Sequence, residues 1–166
     1  MPLPNPSISA ALGTVLEEKE PLRFAAIVVA VRYASGTGTG EVTTAIGSRL
    51  GRIGAVHGDK TSVASSIPAP PTPDLKASWL LVTDRRVALA SVVRQPFHRK
   101  GQPPQPLQAS LYWEVPPARI VRVEKRPRLQ LMARFRLHFS DGSNAAFMTR
   151  SASYVQELRD LLEPSM

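Results

Sequence analysis

The chain has 166 residues, of which 43% are hydrophobic and 20% are charged, and its formal net charge is +8. This length and composition are typical of a single globular domain and exclude a chain that is disordered throughout. The absence of cysteine excludes disulfides, thiolate metal sites and cysteine nucleophiles.

The first residues are not typical of a secretory signal, because no positively charged segment precedes an apolar run. The longest apolar stretch, from Phe24 to Val31, has eight residues, whereas a membrane-spanning helix needs about 20. We therefore expect a cytoplasmic protein without an integral membrane segment, located at the inner face of the membrane only if its partner is lipid.

The positive charge is unevenly distributed. Twelve of the 21 basic residues lie between Arg85 and Arg136, where only Glu114 and Glu124 oppose them. Such a field attracts an acidic protein, anionic lipid or nucleic acid without distinguishing among them. The alternative is that these residues only keep the surface solvated.

The N-terminal half of the chain contains one predicted helix, one strand and a long insertion. The helix is predicted from Ser7 to Glu18, and the apolar, β-branched run 24–33 predicts a buried strand or, alternatively, a buried helical segment. The glycine-rich stretch 36–44 lacks the Lys-Ser/Thr pair of a phosphate-binding loop, so we interpret it as a flexible turn.

The segment 41–58 allows two interpretations. Ile46, Leu50 and Ile53 have helical spacing, which is typical of a weak helix lying on lipid headgroups. The four glycines of the segment each disfavour a helix interior, which favours a loosely helical loop packed on the protein's own surface.

The next elements are predicted to be short strands. Runs 78–83 and 86–93 flank Asp84 and Arg85 as a hairpin, and runs 109–115 and 119–125 follow. The proline-rich stretches 64–74 and 95–108 are predicted to be loops.

The run 133–139 alternates apolar and basic residues just before the turn Asp141-Gly142. Successive side chains of a strand point to opposite faces, so one set is predicted to line the core and the other to face outward. The inward set is Phe135, Leu137 and Phe139, and the outward set is Arg134, Arg136 and His138. On the preceding strand, Val121 and Val123 are predicted inward and Arg122 and Glu124 outward. The Asp-Gly turn predicts a hairpin with residues 144–149.

The chain is predicted to end in an amphipathic helix. Ser151 is a suitable N-cap, Pro164 a suitable stop, and Val155, Leu158 and Leu162 have helical spacing.

Three stretches carry a resemblance to a known family. They are WLLVTDRRVALAS from Trp79 to Ser91, ARIVRVEKR from Ala118 to Arg126, and FRLHFSDGSNAAFMT from Phe135 to Thr149. With the helix that follows, they resemble the pleckstrin-homology-like (PH-like) superfamily, in particular its bacterial PH-like and GRAM-like domains. The resemblance covers residues 75–163, with 20–33 as the first strand.

The resemblance implies a mainly β fold, in which a seven-stranded bent β-barrel is capped by the C-terminal helix. The whole chain, 1–166, would form one such domain, with an N-terminal helical extension at 1–19 and an enlarged insertion at 34–74. Members of the superfamily bind phosphoinositides, other anionic lipids or proteins and are not normally enzymes. The chain departs from the phosphoinositide-binding pattern, because no basic pair follows Arg23 and Arg32.

No catalytic, cofactor or metal site is indicated, since the three histidines are scattered without further ligands at suitable spacing. We therefore expect a non-enzymatic binding module that contacts an acidic protein partner or an anionic membrane surface through a basic face. The alternative is a nucleic-acid-binding protein without sequence specificity. The predicted binding residues are Arg99, Lys100, Arg122, Arg126, Arg128, Arg134 and Arg136.

Overall fold

The structure is a computed structural model that describes residues 5–33, 54–71, 78–93, 100–101, 107–129 and 132–163, with the side chains of residues 128 and 129 excepted. Within these ranges the chain forms eight strands, joined in one antiparallel sheet, and three α-helices. The strands are β1 Leu22–Ala30, β2 Val56–His57, β3 Ser78–Thr83, β4 Val87–Val93, β5 Gln108–Val115, β6 Ile120–Leu129, β7 Met132–Phe139 and β8 Asn144–Thr149. The helices are α1 Pro6–Gly13, α2 Val63–Ser66 and α3 Ala152–Leu162.

Strand β1 joins two halves of the sheet. The strand order is β5-β4-β3-β1-β8-β7-β6, and β2 pairs with β8. Residues 22–28 of β1 pair with β3, whereas residues 28–30 pair with β8. The two ends of this path, β5 and β6, do not pair within the described residues, so the sheet is not closed. The prediction of a mainly β fold with a C-terminal helix is confirmed. The seven-stranded barrel is not confirmed, because the sheet is open and β2 adds an eighth strand.

The main core lies between the two halves of the sheet and is covered by α3. Phe135 stacks on Phe147 with ring centroids 5.5 Å apart, and both rings are buried. Val155 and Leu158 of α3 belong to the same apolar cluster. Tyr154 packs edge-on against Phe24 with centroids 6.4 Å apart, so the amphipathic face of the predicted helix is used as expected.

A second apolar layer covers the opposite face of β1, β3 and β4. Leu12 of α1 is fully buried there against Ala25, Leu81 and Ala90. Helix α1 ends at Gly13, earlier than the predicted end at Glu18. At its C-terminal end the Thr14 hydroxyl donates a hydrogen bond to the Ala11 carbonyl at 2.6 Å. Such a local side-chain bond competes with continuation of the helix.

The described part of the insertion packs into the core beside the β7–β8 hairpin. Ala64 and Ile67 are buried, and Asp141 and Ser143 of the hairpin accept hydrogen bonds from the backbone amides of Val63 and Ala64 at 2.7 and 3.1 Å. A Cβ at Gly58 would lie 2.6 Å from Ser143, so this close approach requires glycine.

The structure corrects the interpretation of segment 41–58 as helical in its last residues. Residues 54 and 55 form a turn or bend, and Val56–His57 forms strand β2. Pairing with β8 satisfies the backbone groups of this stretch, which explains why an extended conformation replaces the predicted one. The remainder of the segment, 41–53, lies outside the described residues.

The alternation predicted for β7 is confirmed. Ala133, Phe135, Leu137 and Phe139 are all buried, whereas the three residues between them are half-buried on the other face. The same prediction is wrong for Val121, which is 57% exposed. A register shift between Ile120 and Arg122 inserts one extra residue, as a β-bulge does, so Ile120 takes the core position.

No helix in the portion of the chain described by the structure combines the length and apolar character needed to cross a bilayer.

Candidate functional site

The outer face of β6 and β7 gathers the largest group of predicted binding residues. The register places three pairs of outward residues directly opposite one another on these strands. The pairs are Arg122 with His138, Glu124 with Arg136, and Arg126 with Arg134. We call these six residues the basic face. Residues two apart on a strand repeat at about 6.8 Å and neighbouring strands lie about 4.8 Å apart, so the basic face is a ladder about 14 Å long.

Glu124 occupies the centre of the basic face. Its carboxylate lies 2.8 Å from Nε2 of His138 and 3.1 Å from Nη1 of Arg126. The hydrogen bond with His138, together with the one from Arg126, lowers the pKa of Glu124 despite its partial burial. Glu124 is therefore an ionised carboxylate held among cations.

Arg136 connects β7 to β8 and to the segment that contains Gly54. Its guanidinium donates to the side chain of Asn144 and, at 2.9 Å, to the carbonyl of Gly54 in the insertion. Burial, with the nearby charges of Arg126 and Arg134, lowers the pKa of Arg136. Among the predicted binding residues whose side chains the structure describes, Arg136 is the one held by hydrogen bonds to two other segments.

Arg126 and Arg134 form a like-charge pair directly across the two strands. Like charges in this position destabilise a sheet. Arg126 is partly compensated by Glu124, but within the described residues the side chains of Arg134 and Arg122 make no hydrogen bond or ion pair. A negative charge placed at this end of the basic face would therefore relieve the repulsion between Arg126 and Arg134.

We expect Arg134→Gln to raise the free energy of unfolding by about 0.2–1 kcal/mol, because it removes the repulsion from Arg126. Urea unfolding with an unchanged m-value measures this gain. Arg122→Gln is the matched control, since Arg122 faces His138 and not an arginine. An equal gain in both variants, or a loss in Arg134→Gln, contradicts the claim that Arg126 and Arg134 repel each other across the strands.

Of the other predicted binding residues, the structure describes the side chain of Lys100 alone. Lys100 is exposed in the connection between β4 and β5, two strands that are remote from β6 in the strand order. Arg99 and the side chain of Arg128 lie outside the described residues.

Two further arginines of the basic segment are neutralised by the N-terminal region. Arg86 forms ion pairs with Glu20 and Glu114, at 2.7 and 2.6 Å, and Arg85 pairs with Glu17 at 2.6 Å. The charge summed over residues 85–136 therefore overstates the positive field, because it leaves out Glu17 and Glu20, which are distant in sequence and close in space.

Sequence reasoning missed the central role of Glu124 and the bond between Arg136 and the insertion. The hairpin turn at Asp141 fixes the register of β7 with β8, but the register of β6 with β7 includes two irregularities. The opposition of Arg126 to Arg134 depends on that register, which cannot be predicted from the residue types in the two strands.

A second surface feature is a depression beside α3. The depression beside α3, about 560 Å³ in volume, is lined by Arg23, Glu157, Asp160 and Leu161 among others. Arg23 is held there by two hydrogen bonds to Asp84 at 2.9 and 3.0 Å. Among the described residues, no group of three histidine, aspartate or glutamate side chains is arranged to hold a metal ion.

Comparison with known proteins gives no family for the chain. No protein-family model matches the sequence, and no curated protein is significantly similar to it.

Proposed function

We propose that the protein is a non-enzymatic, PH-like binding module that contacts an acidic protein partner through the basic face. The observation that carries the proposal is the like-charge pair of Arg126 and Arg134. Within the described residues, the side chains of Arg134 and Arg122 make no hydrogen bond or ion pair. Such an arrangement costs stability in the free protein. A partner that supplies carboxylates recovers that cost on binding.

The order of the strands supports the PH-like part of the proposal. A bent, partly open sheet with a C-terminal helix over its core is what the resemblance implies. In the structure β1 joins two halves of the sheet, and α3 covers the core that lies between them. In this proposal residues 54–71 belong to an insertion after the first strand.

An anionic membrane surface is the second candidate partner. Val121 is 57% exposed and immediately precedes Arg122, so an apolar side chain accompanies the cations at one end of the ladder. Nucleic acid is less favoured, because single-stranded nucleic acid needs exposed aromatic rings for stacking. The aromatic side chains of β7, Phe135 and Phe139, are buried in the core.

Charge reversal on the basic face tests the proposal. We expect a variant with Arg122→Glu, Arg126→Glu and Arg134→Glu to bind a fluorescent poly-glutamate peptide at least about 100-fold more weakly in low salt, because three attractive charges become repulsive. Arg136 is left unchanged because it holds Gly54. Fluorescence anisotropy across a salt series measures the affinity, and the difference is expected to shrink as salt screens the charges.

The control reverses three exposed arginines elsewhere, Arg23, Arg85 and Arg159, whose side chains are 53%, 58% and 53% exposed. It changes the net charge equally. If both variants lose binding to the same extent, net charge rather than the basic face attracts the peptide, and the proposal is wrong. Sedimentation with vesicles of neutral and anionic lipid, using the same variants, tests the membrane candidate.

A further inference from the structure

We propose that the basic face takes an extended acidic segment of its partner, and that Glu124 sets this preference by keeping compact anions out of the centre of the face. This inference rests on the proposed function and names the form of the ligand.

The centre of the ladder already contains an anion. Glu124 faces Arg136 across the strands and lies two residues from Arg122 and from Arg126. Its hydrogen bonds to His138 and Arg126 hold the carboxylate in this position. A phosphate or another compact anion placed among the arginines would therefore meet a fixed negative charge in the middle of the site.

The free cations lie at opposite ends of the ladder. Arg122 stands at one end and Arg134 at the other, on different strands. Four residues along a strand and one strand across correspond to about 14 Å between their backbones. A compact anion contacts both residues only if their side chains bend toward the centre of the ladder, where Glu124 lies, whereas a ligand as long as the ladder contacts each residue at its own end.

An extended peptide matches this spacing. Alternate side chains of an extended chain repeat at about 6.8 Å, the same period as the outward residues of β6 and β7. A segment lying along the strands can place carboxylates at its first and fifth residues over the two ends of the ladder. Its third residue then lies over Glu124 and is best uncharged.

Competition binding tests this inference in the full-length protein. The probe is a labelled nine-residue peptide with glutamates at positions 3 and 7 and glutamine at position 5. We expect inositol hexakisphosphate to displace it at least about tenfold less effectively, per mole, than the unlabelled peptide does. A matched peptide with glutamate also at position 5 should bind more weakly than the probe despite its greater charge.

The variant Glu124→Gln keeps the size of the side chain and removes its charge. We expect it to bind inositol hexakisphosphate at least about tenfold more tightly than the wild type, with a smaller gain for the probe peptide. Glu157→Gln, on α3, is the control for net charge. Circular dichroism verifies that both variants fold. The relative displacement of the probe by inositol hexakisphosphate and by unlabelled peptide, measured on the wild type, tests the inference without either variant.

The outcomes separate the inference from the proposed function. If wild type binds acidic peptides but inositol hexakisphosphate displaces them equally well, or if Glu157→Gln reproduces the effect of Glu124→Gln, the inference is wrong and the proposed function stands. If wild type binds no acidic peptide, both are wrong. If single-stranded DNA displaces the probe more effectively than the unlabelled peptide does, the partner is a nucleic acid and the inference is wrong.

Discussion

Glu20→Gln is expected to lower the free energy of unfolding by about 3–5 kcal/mol, since it breaks a buried ion pair and leaves Arg86 with the exposed Glu114 as its remaining carboxylate partner. The Glu20 side chain is completely buried. Its carboxylate accepts hydrogen bonds from Nε and Nη2 of Arg86 at 2.9 and 2.7 Å, and from the hydroxyl of Thr83 at 2.6 Å. The backbone amide of Glu17 donates a further bond at 2.9 Å.

This network attaches the N-terminal region to the β3–β4 hairpin. Arg86 also donates to the carbonyl of Val15 at 3.2 Å. The loss of Glu20 therefore also weakens the attachment of the segment that follows α1. Urea unfolding measures the effect. Glu17→Gln is the control, because its ion pair with Arg85 is exposed and such pairs contribute about 0–1 kcal/mol. Equal losses in the two variants contradict the account.

The same carboxylate makes stability depend on pH. The hydrogen bonds from Arg86 and Thr83 lower the pKa of Glu20 to about 2, against 4.5 for the ordinary group. Because the pKa of Glu20 is lower in the folded than in the unfolded protein, the ionised carboxylate stabilises the fold fully above about pH 5. This stabilisation is lost as the pH falls toward 2.

Between pH 6 and pH 3 we expect the wild type to lose about 2 kcal/mol more than Glu20→Gln does. Unfolding in urea at the two pH values gives this difference directly. If the two proteins lose the same free energy, Glu20 does not titrate as the structure implies.

Phe135→Ala is the second large effect, and we expect it to cost about 3–5 kcal/mol through lost burial and the cavity left behind. The ring is 1% exposed and stacks on Phe147, within the cluster that also contains Val155 and Leu158 of α3. Thermal or urea unfolding measures the loss, and a broadened transition would indicate that α3 detaches first.

The control for this variant is Val121→Ala on the neighbouring strand. Val121 is 57% exposed at the bulge, so its truncation should change stability by no more than about 0.5 kcal/mol. If Val121→Ala costs as much as Phe135→Ala, the assignment of the two faces of β6 and β7 is wrong.

The features that the sequence predicted correctly depend on local patterns. The alternation around Phe135 assigns the faces of β7, the Asp141-Gly142 pair marks its turn, and Ser151 begins the last helix; it caps α3 by accepting a bond from the amide of Ser153. Each signal acts within a few residues, where side-chain periodicity and turn chemistry decide the conformation.

The features that were missed depend on contacts between distant residues. The bulge that exposes Val121 follows from the pairing of β6 with β7, where Ile120 lies opposite Phe139, and the alternation of side chains along one strand cannot reveal an inserted residue. The pairing of Glu20 with Arg86 joins residues separated by 66 positions. The candidate site was predicted in part for the same reason: alternation placed Arg122, Arg134 and Arg136 outward, but the register decides which charges meet.

Nuclear magnetic resonance of the arginine side chains tests the central claim most directly. In a titration of the ¹⁵N-labelled protein with an acidic peptide, the Nε–Hε signals of Arg122, Arg126 and Arg134 are expected to shift together and to saturate at one peptide per chain. The signals of Arg23, Arg85 and Arg86, which are paired with carboxylates elsewhere, are expected to stay in place. Shifts confined to those three, or spread evenly over all the arginines, would contradict a binding site on the outer face of β6 and β7.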